Sequence, residues 1–167
     1  MSKLILTLLA GLASLGIANA QIKVAVINSQ KAILETEDIK KAQADLTAKY
    51  KPRQDQLEKL QKDLQDIQTQ LQGGKLNQLG EQELTAQGQK KQRDMQRLQQ
   101  DLQEDADRDR NDILQRAGAR MQEVVKKLAD EKGLDLVVDS ANTLFFKPVL
   151  ELTNDAVVAY NKAYPVK

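Results

Sequence analysis

Between residues 36 and 132, apolar side chains recur at alternating steps of three and four and polar residues fill the positions between them. This is the spacing of a helix that packs along a narrow stripe. Tyr50, Leu57, Leu60, Leu64, Ile67 and Leu71 form one such stripe, with the a/d rhythm of a coiled coil. Met95, Leu98 and Leu102 begin a second. Its phase slips near Ala106 and resumes through Arg110, Ile113, Ala117, Arg120, Val124 and Leu128, as a stutter produces. Between the stripes stand Gly73-Gly74 and then Gly80. Two adjacent glycines disfavour a helix interior by about 2 kcal/mol relative to alanine, so the pattern places a turn within residues 73–80 and folds the helices back as an antiparallel pair. Pro52 lacks an N–H and predicts a kink in the first helix.

The flanking patterns are shorter. Residues 22–28 read as a strand with Ile22, Val24 and Val26 on one face, and Asn28 or Ser29 caps a short helix over residues 30–34. Thr36, followed by Glu37 and Asp38, starts the long helix, and Gly133 ends the returning one. Residues 134–139 and 143–147 read as two strands of a hairpin turned by Ser140-Ala141-Asn142, with Phe145 and Phe146 in or beside the core. Thr153 is positioned to cap a last helix over residues 154–163, which carries Val157 and Tyr160 on the same side as Tyr164. The expected fold is α+β and mostly α, a long helical hairpin standing on a small β body. Its parts are residues 1–20 as an export signal, 21–35 as the first strand and short helix, 36–132 as the arm, and 133–167 as the rest of the body. Val24, Val26, Leu136, Val138, Leu144 and Phe146 are the candidate body core or oligomer contacts.

Composition narrows the function. Aromatic residues make up 3% of the chain and Trp is absent, so a base this small is expected to complete its core by oligomerising. There is no Cys and no His, which removes thiol chemistry, disulfides, the commonest general base and the commonest metal ligand. An enzyme is not expected, and no cofactor is implied. Lys3, the apolar run over residues 4–17 and Ala18-Asn19-Ala20 have the form of a secretory signal cleaved after Ala20, with a retained anchor as the rival reading. Cleavage there removes Lys3 and no acid, leaving equal numbers of basic and acidic side chains. A chain of zero formal charge has no electrostatic case for binding nucleic acid.

Within the arm, residues 54–103 include 16 glutamines, and between Ile67 and Gln89 the charged residues are Lys75, Glu81 and Glu83. The tip is nearly neutral. Leu71, Leu76, Leu79 and Leu84 are its apolar groups and its candidate contacts. Asp105-Ala106-Asp107-Arg108-Asp109 begins like a calcium loop, but Arg110 and Arg116 stand where the turn glycine and the bidentate acid belong, so it reads as a solvated helix face with local Asp–Arg pairs. The clusters Lys49, Lys51, Arg53 and Lys90, Lys91, Arg93 read either as solvated faces or as attractors of acidic segments in a client.

The order of elements, with Val24-Ala25-Val26-Ile27-Asn28, the Leu134-Asp135-Leu136-Val137-Val138-Asp139 strand and Glu151-Leu152-Thr153 before the last helix, resembles the Skp/OmpH family of periplasmic chaperones. The resemblance implies a jellyfish-shaped homotrimer in which strands of three chains close a β-barrel and three hairpins surround a cavity. It also implies a periplasmic holdase that shelters unfolded outer-membrane proteins without ATP and touches membranes indirectly at most. A lipopolysaccharide site does not carry over, because the tip lacks a basic cluster. The alternative from another class is an exported coiled-coil spacer that bridges envelope components.

Overall fold

The computed structural model describes residues 22–166, and the expected export signal lies outside them. Strand β1 (Val24–Ile27) leads through the short helix α1 (Ser29–Leu34) into α2 (Glu37–Gln72). After a turn over residues 73–77, α3 (Gln78–Lys132) returns to β2 (Leu136–Asp139). Two 3₁₀ turns, Ser140–Asn142 and Pro148–Leu150, lead to α4 (Thr153–Ala163). Local chemistry sets the helix ends. Of the two candidate caps for α1, Asn28 serves, accepting from the Lys31 N–H at 2.8 Å. Thr36 accepts from the Ile39 N–H, and Asn77 from the Gly80 N–H. Gly133, at φ 61°, closes α3 with a Schellman turn in which the Leu134 N–H donates to the Ala129 carbonyl at 2.9 Å. Pro52 lies inside α2, which continues on both sides of it.

The sheet departs from the expected hairpin. β2 pairs in parallel with β1, in the register Val24 with Leu136 through Ile27 with Asp139, and Glu151 bridges to Val26 on the other side of β1. Both strands are shorter than expected, because Lys23 and Asp135 are taken up by a cross-connection in which the Lys23 N–H donates to Asp135 Oδ2 and the Asp135 N–H to the Lys23 carbonyl. Beyond β2 the Asp139 carboxylate accepts from the Ala141 N–H, and the Thr143 hydroxyl donates to the Asp139 carbonyl. These bonds wind residues 140–142 into a 3₁₀ turn, so residues 143–147 do not return along β2.

Parallel strands need a crossover, and the arm provides it. α2 has 36 residues and α3 has 55, so at about 1.5 Å per residue α3 is longer by roughly 28 Å. That excess runs along the body. Its Met121, Val124 and Leu128 pack with Ala25 and Ile27 of β1, Ala32 of α1, and Leu152, Ala156 and Tyr160 around α4. The core face of β1 is therefore the Ala25/Ile27 face rather than the Val24/Val26 face, although Val26 is also buried. Phe145 is 79% exposed and Phe146 half-buried, so neither joins this core. Thr153 is fully buried and does not cap α4; its hydroxyl instead accepts from the Asn28 N–H at 3.0 Å, tying the start of α4 to the end of β1.

Where arm meets body, one carboxylate joins three helices. Asp38 of α2 accepts from Arg120 of α3 at 2.8 Å and from the hydroxyl of Tyr160 of α4 at 2.9 Å. The Arg120 guanidinium lies 4.7 Å from the Tyr164 ring centroid, and the Glu37 N–H donates to Asn161 Oδ1. Tyr160 is fully buried, and burial together with its bond to Asp38 pushes the phenol above its usual range. Replacing Tyr160 by Phe removes a part-buried bond to a charged acceptor. At fixed protomer concentration, Tyr160→Phe is expected to lower the unfolding free energy by about 1–3 kcal/mol in a urea titration, whereas Tyr164→Phe, which loses an exposed bond to Glu123, changes it by less than about 1 kcal/mol.

Candidate functional site

The surface with room to act is the arm. Its two helices are joined by a thin apolar seam and by charged side chains that reach across. Leu57, Leu60, Leu64 and Leu71 of α2 and Leu84, Met95, Leu98 and Leu102 of α3 are half-buried, and Ile67 is buried. Gly88 sits close against Ile67, since a methyl group there would lie 3.3 Å from Ile67 Cγ2. Asp63 pairs with Lys91 at 2.6 Å and Asp105 with Arg53 at 2.6 Å. Asp109 accepts from both Lys49 and the Tyr50 hydroxyl.

These bonds shift the groups that make them. Lys91 holds the Asp63 carboxyl below the usual carboxylate range. Arg53, followed by Arg108, does the same to Asp105, and Lys49, followed by Tyr50, to Asp109. The Asp105–Asp109 stretch thus contains the expected local pair, Arg108 with Asp105, and also two cross-helix connections that periodicity alone missed. The available signal was the slip at Ala106, where carboxylates take the inward positions that leucines fill elsewhere. Lys49, Arg53 and Lys91 of the two basic clusters turn toward aspartates of the facing helix, and Lys51 pairs with Asp55 on its own. Among the described residues no three Asp or Glu side chains are grouped to hold a metal ion.

The apolar residues singled out at the tip are not all in one place. Leu71 joins Leu64 and Ile67 in a shallow groove of about 540 Å³, whose other walls are Thr85, Gly88, Arg93 and the amides of Gln68, Gln89 and Gln92. Leu76, Leu79 and Leu84 do not line it; Leu79 is 64% exposed, and the other two are half-buried. In the body, Val26 is buried and Val24, Val138 and Phe146 are half-buried, while Leu136 and Leu144 are exposed. A second groove, of about 480 Å³, runs beside α3 between Ile27, Ile33, Met121, Val125 and Val137.

Residues 23–160 match the family model described as outer membrane protein (OmpH-like). The chain is similar to a Skp-like protein of Pseudomonas aeruginosa, 25% identical over 147 residues that cover 87% of this chain and 88% of the relative. Its fold is similar to the crystal structure of an OmpH-like protein from Caulobacter crescentus, with a TM-score of 0.74 and 16% identity over 87% of this chain and 88% of that one.

The depressed carboxylates fix the sign of a pH dependence. Asp63, Asp105 and Asp109 have lower pKa values folded than unfolded, so the stability they contribute is complete above the ordinary carboxylate value and disappears as pH falls through the folded values. Thermal melts are expected to shift little down to about pH 5 and steeply below about pH 4. With Asp105→Asn and Asp109→Asn combined, the neutral-pH melting temperature drops and the acid slope becomes shallower.

Proposed function

The chain belongs to the outer membrane protein (OmpH-like) family, and from that premise we propose that it is an ATP-independent, non-enzymatic holdase. Its partners are unfolded outer-membrane proteins, which it keeps from aggregating in the periplasm. The similar fold from Caulobacter crescentus is described as that of a candidate outer membrane chaperone, which agrees with this reading. The observation that carries it is the division of labour on the arm. Lys49, Arg53, Lys91 and Arg120 pair with aspartates of the facing helix, and what remains outward near the tip is mostly glutamine with Leu79, beside only Lys75, Glu81 and Glu83 as charges. Such a surface offers many weak, unselective contacts to an unfolded chain and no strong attraction to any one sequence.

The working unit is a homotrimer with a shared β-barrel. In support, β2 has one strand neighbour, β1, and among the described residues Leu144, Phe145, Phe146 and Lys147 donate no backbone hydrogen bond. Leu144 is fully exposed and Val149 is 85% exposed. An unpaired edge and an unpaired extended segment on one chain complement each other between copies, and head-to-tail pairing of this kind closes into a ring. Light scattering at micromolar concentration is expected to give three times the protomer mass, with a thermal midpoint that rises with concentration; a monomer mass would refute the trimer.

The holdase reading is tested by diluting a denatured outer-membrane barrel with and without the protein and following turbidity, which the protein is expected to suppress without nucleotide. In a titration of a fluorescent unfolded barrel, affinity is expected to change less than about tenfold between low and high salt, because little of the grip is ionic. Replacing Leu76, Leu79 and Leu84 together by Ser is expected to weaken binding more than Lys75→Glu. A loss of about a hundredfold at high salt would assign the grip to the Lys and Arg side chains instead.

A further inference from the structure

The arm is not uniform along its length. On the body side, Ile39 and Leu46 of α2 face Ile113 and Leu114 of α3; on the tip side the leucine seam runs from Leu57 and Leu102 outward. Between these two apolar stretches the seam is interrupted on both helices at the same level. From Leu46 to Leu57 the side chains that are not exposed are Tyr50 and Arg53, and from Leu102 to Ile113 they are Asp105, Ala106 and Asp109. The helices are joined there by Arg53 with Asp105, Lys49 with Asp109, and the Tyr50 hydroxyl with Asp109 at 2.6 Å. Lys49 and Arg53 also stand 5.3 and 5.9 Å from the Tyr50 ring centroid. Pro52 sits at this level too, so the Ala48 carbonyl lacks the intrahelical donor that any other residue would supply. One backbone bond is missing where the apolar seam is also missing.

We infer that this layer is a joint, and that its ion pairs are a latch holding the distal arm in line with the root. Apolar seams resist separation in any buffer, because parting them exposes hydrocarbon to water. The latch residues differ: with Lys49 exposed and Arg53 partly open to solvent, water and salt compete directly for the paired charges. The distal half therefore swings as a unit when the latch opens, while the root stays fixed to the body through Asp38, Arg120 and Tyr160. Charge in whatever lies against the arm acts on the same joint, since an acidic segment competes with Asp105 and Asp109 for Lys49 and Arg53.

The chain has no cysteine, so nitroxide labels can be placed singly on the full mature protein. Labels at Lys75→Cys on the tip and Asn142→Cys on the body, diluted with unlabelled protein, report the swing as the width of the distance distribution in double electron–electron resonance. Arg53→Asp is expected to widen the distribution, and Arg53→Asp with Asp105→Arg to restore the parent width by remaking the pair with its polarity reversed. Arg53→Leu, Asp105→Leu and Asp109→Leu together are expected to narrow it by joining the two seams. In the parent protein, amides of residues 47–56 and 103–112 are expected to exchange about fivefold faster when salt is raised from about 0.05 M to about 0.5 M, with the flanking seams unchanged. The inference is overturned if the swapped pair is as broad as the single reversal, or if exchange in the layer is as slow and as salt-insensitive as in the seams beside it. The exchange measurement uses the parent chain and stands even if a variant fails to fold.

Discussion

Two four-residue strands running in the same direction govern the architecture. Val24–Ile27 can lie beside Leu136–Asp139 in parallel only if the chain leaves one end of the sheet and comes back to the other. An ordinary crossover would do this with a single helix. Here the crossover has been drawn out into an arm, and the excess length of α3 over α2 is the part that still does the crossover's work, laying Met121, Val124 and Leu128 against Ala25 and Ile27. The core owes its existence to the arm's return, and the arm owes its fixed root to the core.

That root is polar as well as apolar. Asp38 sits in the first turn of α2, where the helix dipole already favours an acid, and it also accepts from α3 and α4. One side chain thus orients three helices, and the satisfied bonds to Tyr160 and Arg120 make burial of this region tolerable. The arm farther out relies on repeated weak seams, with few side chains fully removed from water. The root is keyed and the arm loosely zipped, so register is set at the body while a long surface stays exposed.

What the sequence revealed followed the range of the forces involved. The heptad stripes, the Thr36 cap, the Gly133 terminus and the turn after Gly73 are set within a few residues, and they could be read locally. The strand pairing could not: alternation marked residues 134–139 and 143–147 as strands and adjacency suggested a hairpin, yet β2 took a partner more than a hundred positions away. Thr153 failed for the same reason, because its position fits a cap while its hydroxyl serves the Asn28 N–H 125 residues earlier. Phe145 looked like core by composition and stands in solvent on the single chain. Of the tip leucines, Leu71 lines a groove with Ile67 of its own stripe, but Gly88, which faces them there, is recognisable only once α3 is in place.

The parallel pairing also orders events in time. A chain emerging from its N-terminus presents β1 long before β2 exists, and closing an unstructured loop over everything between them would be slow and entropically unfavourable. The helical hairpin changes that problem. Its bonds are local, and its turn at residues 73–77 lets the two helices zip from tip to root, so the far end of the loop is carried back toward β1 instead of searching for it. A formed arm thus lowers the entropic cost of closing the sheet, because it brings residues 133–139 back to β1 as the end of a short loop instead of a long one.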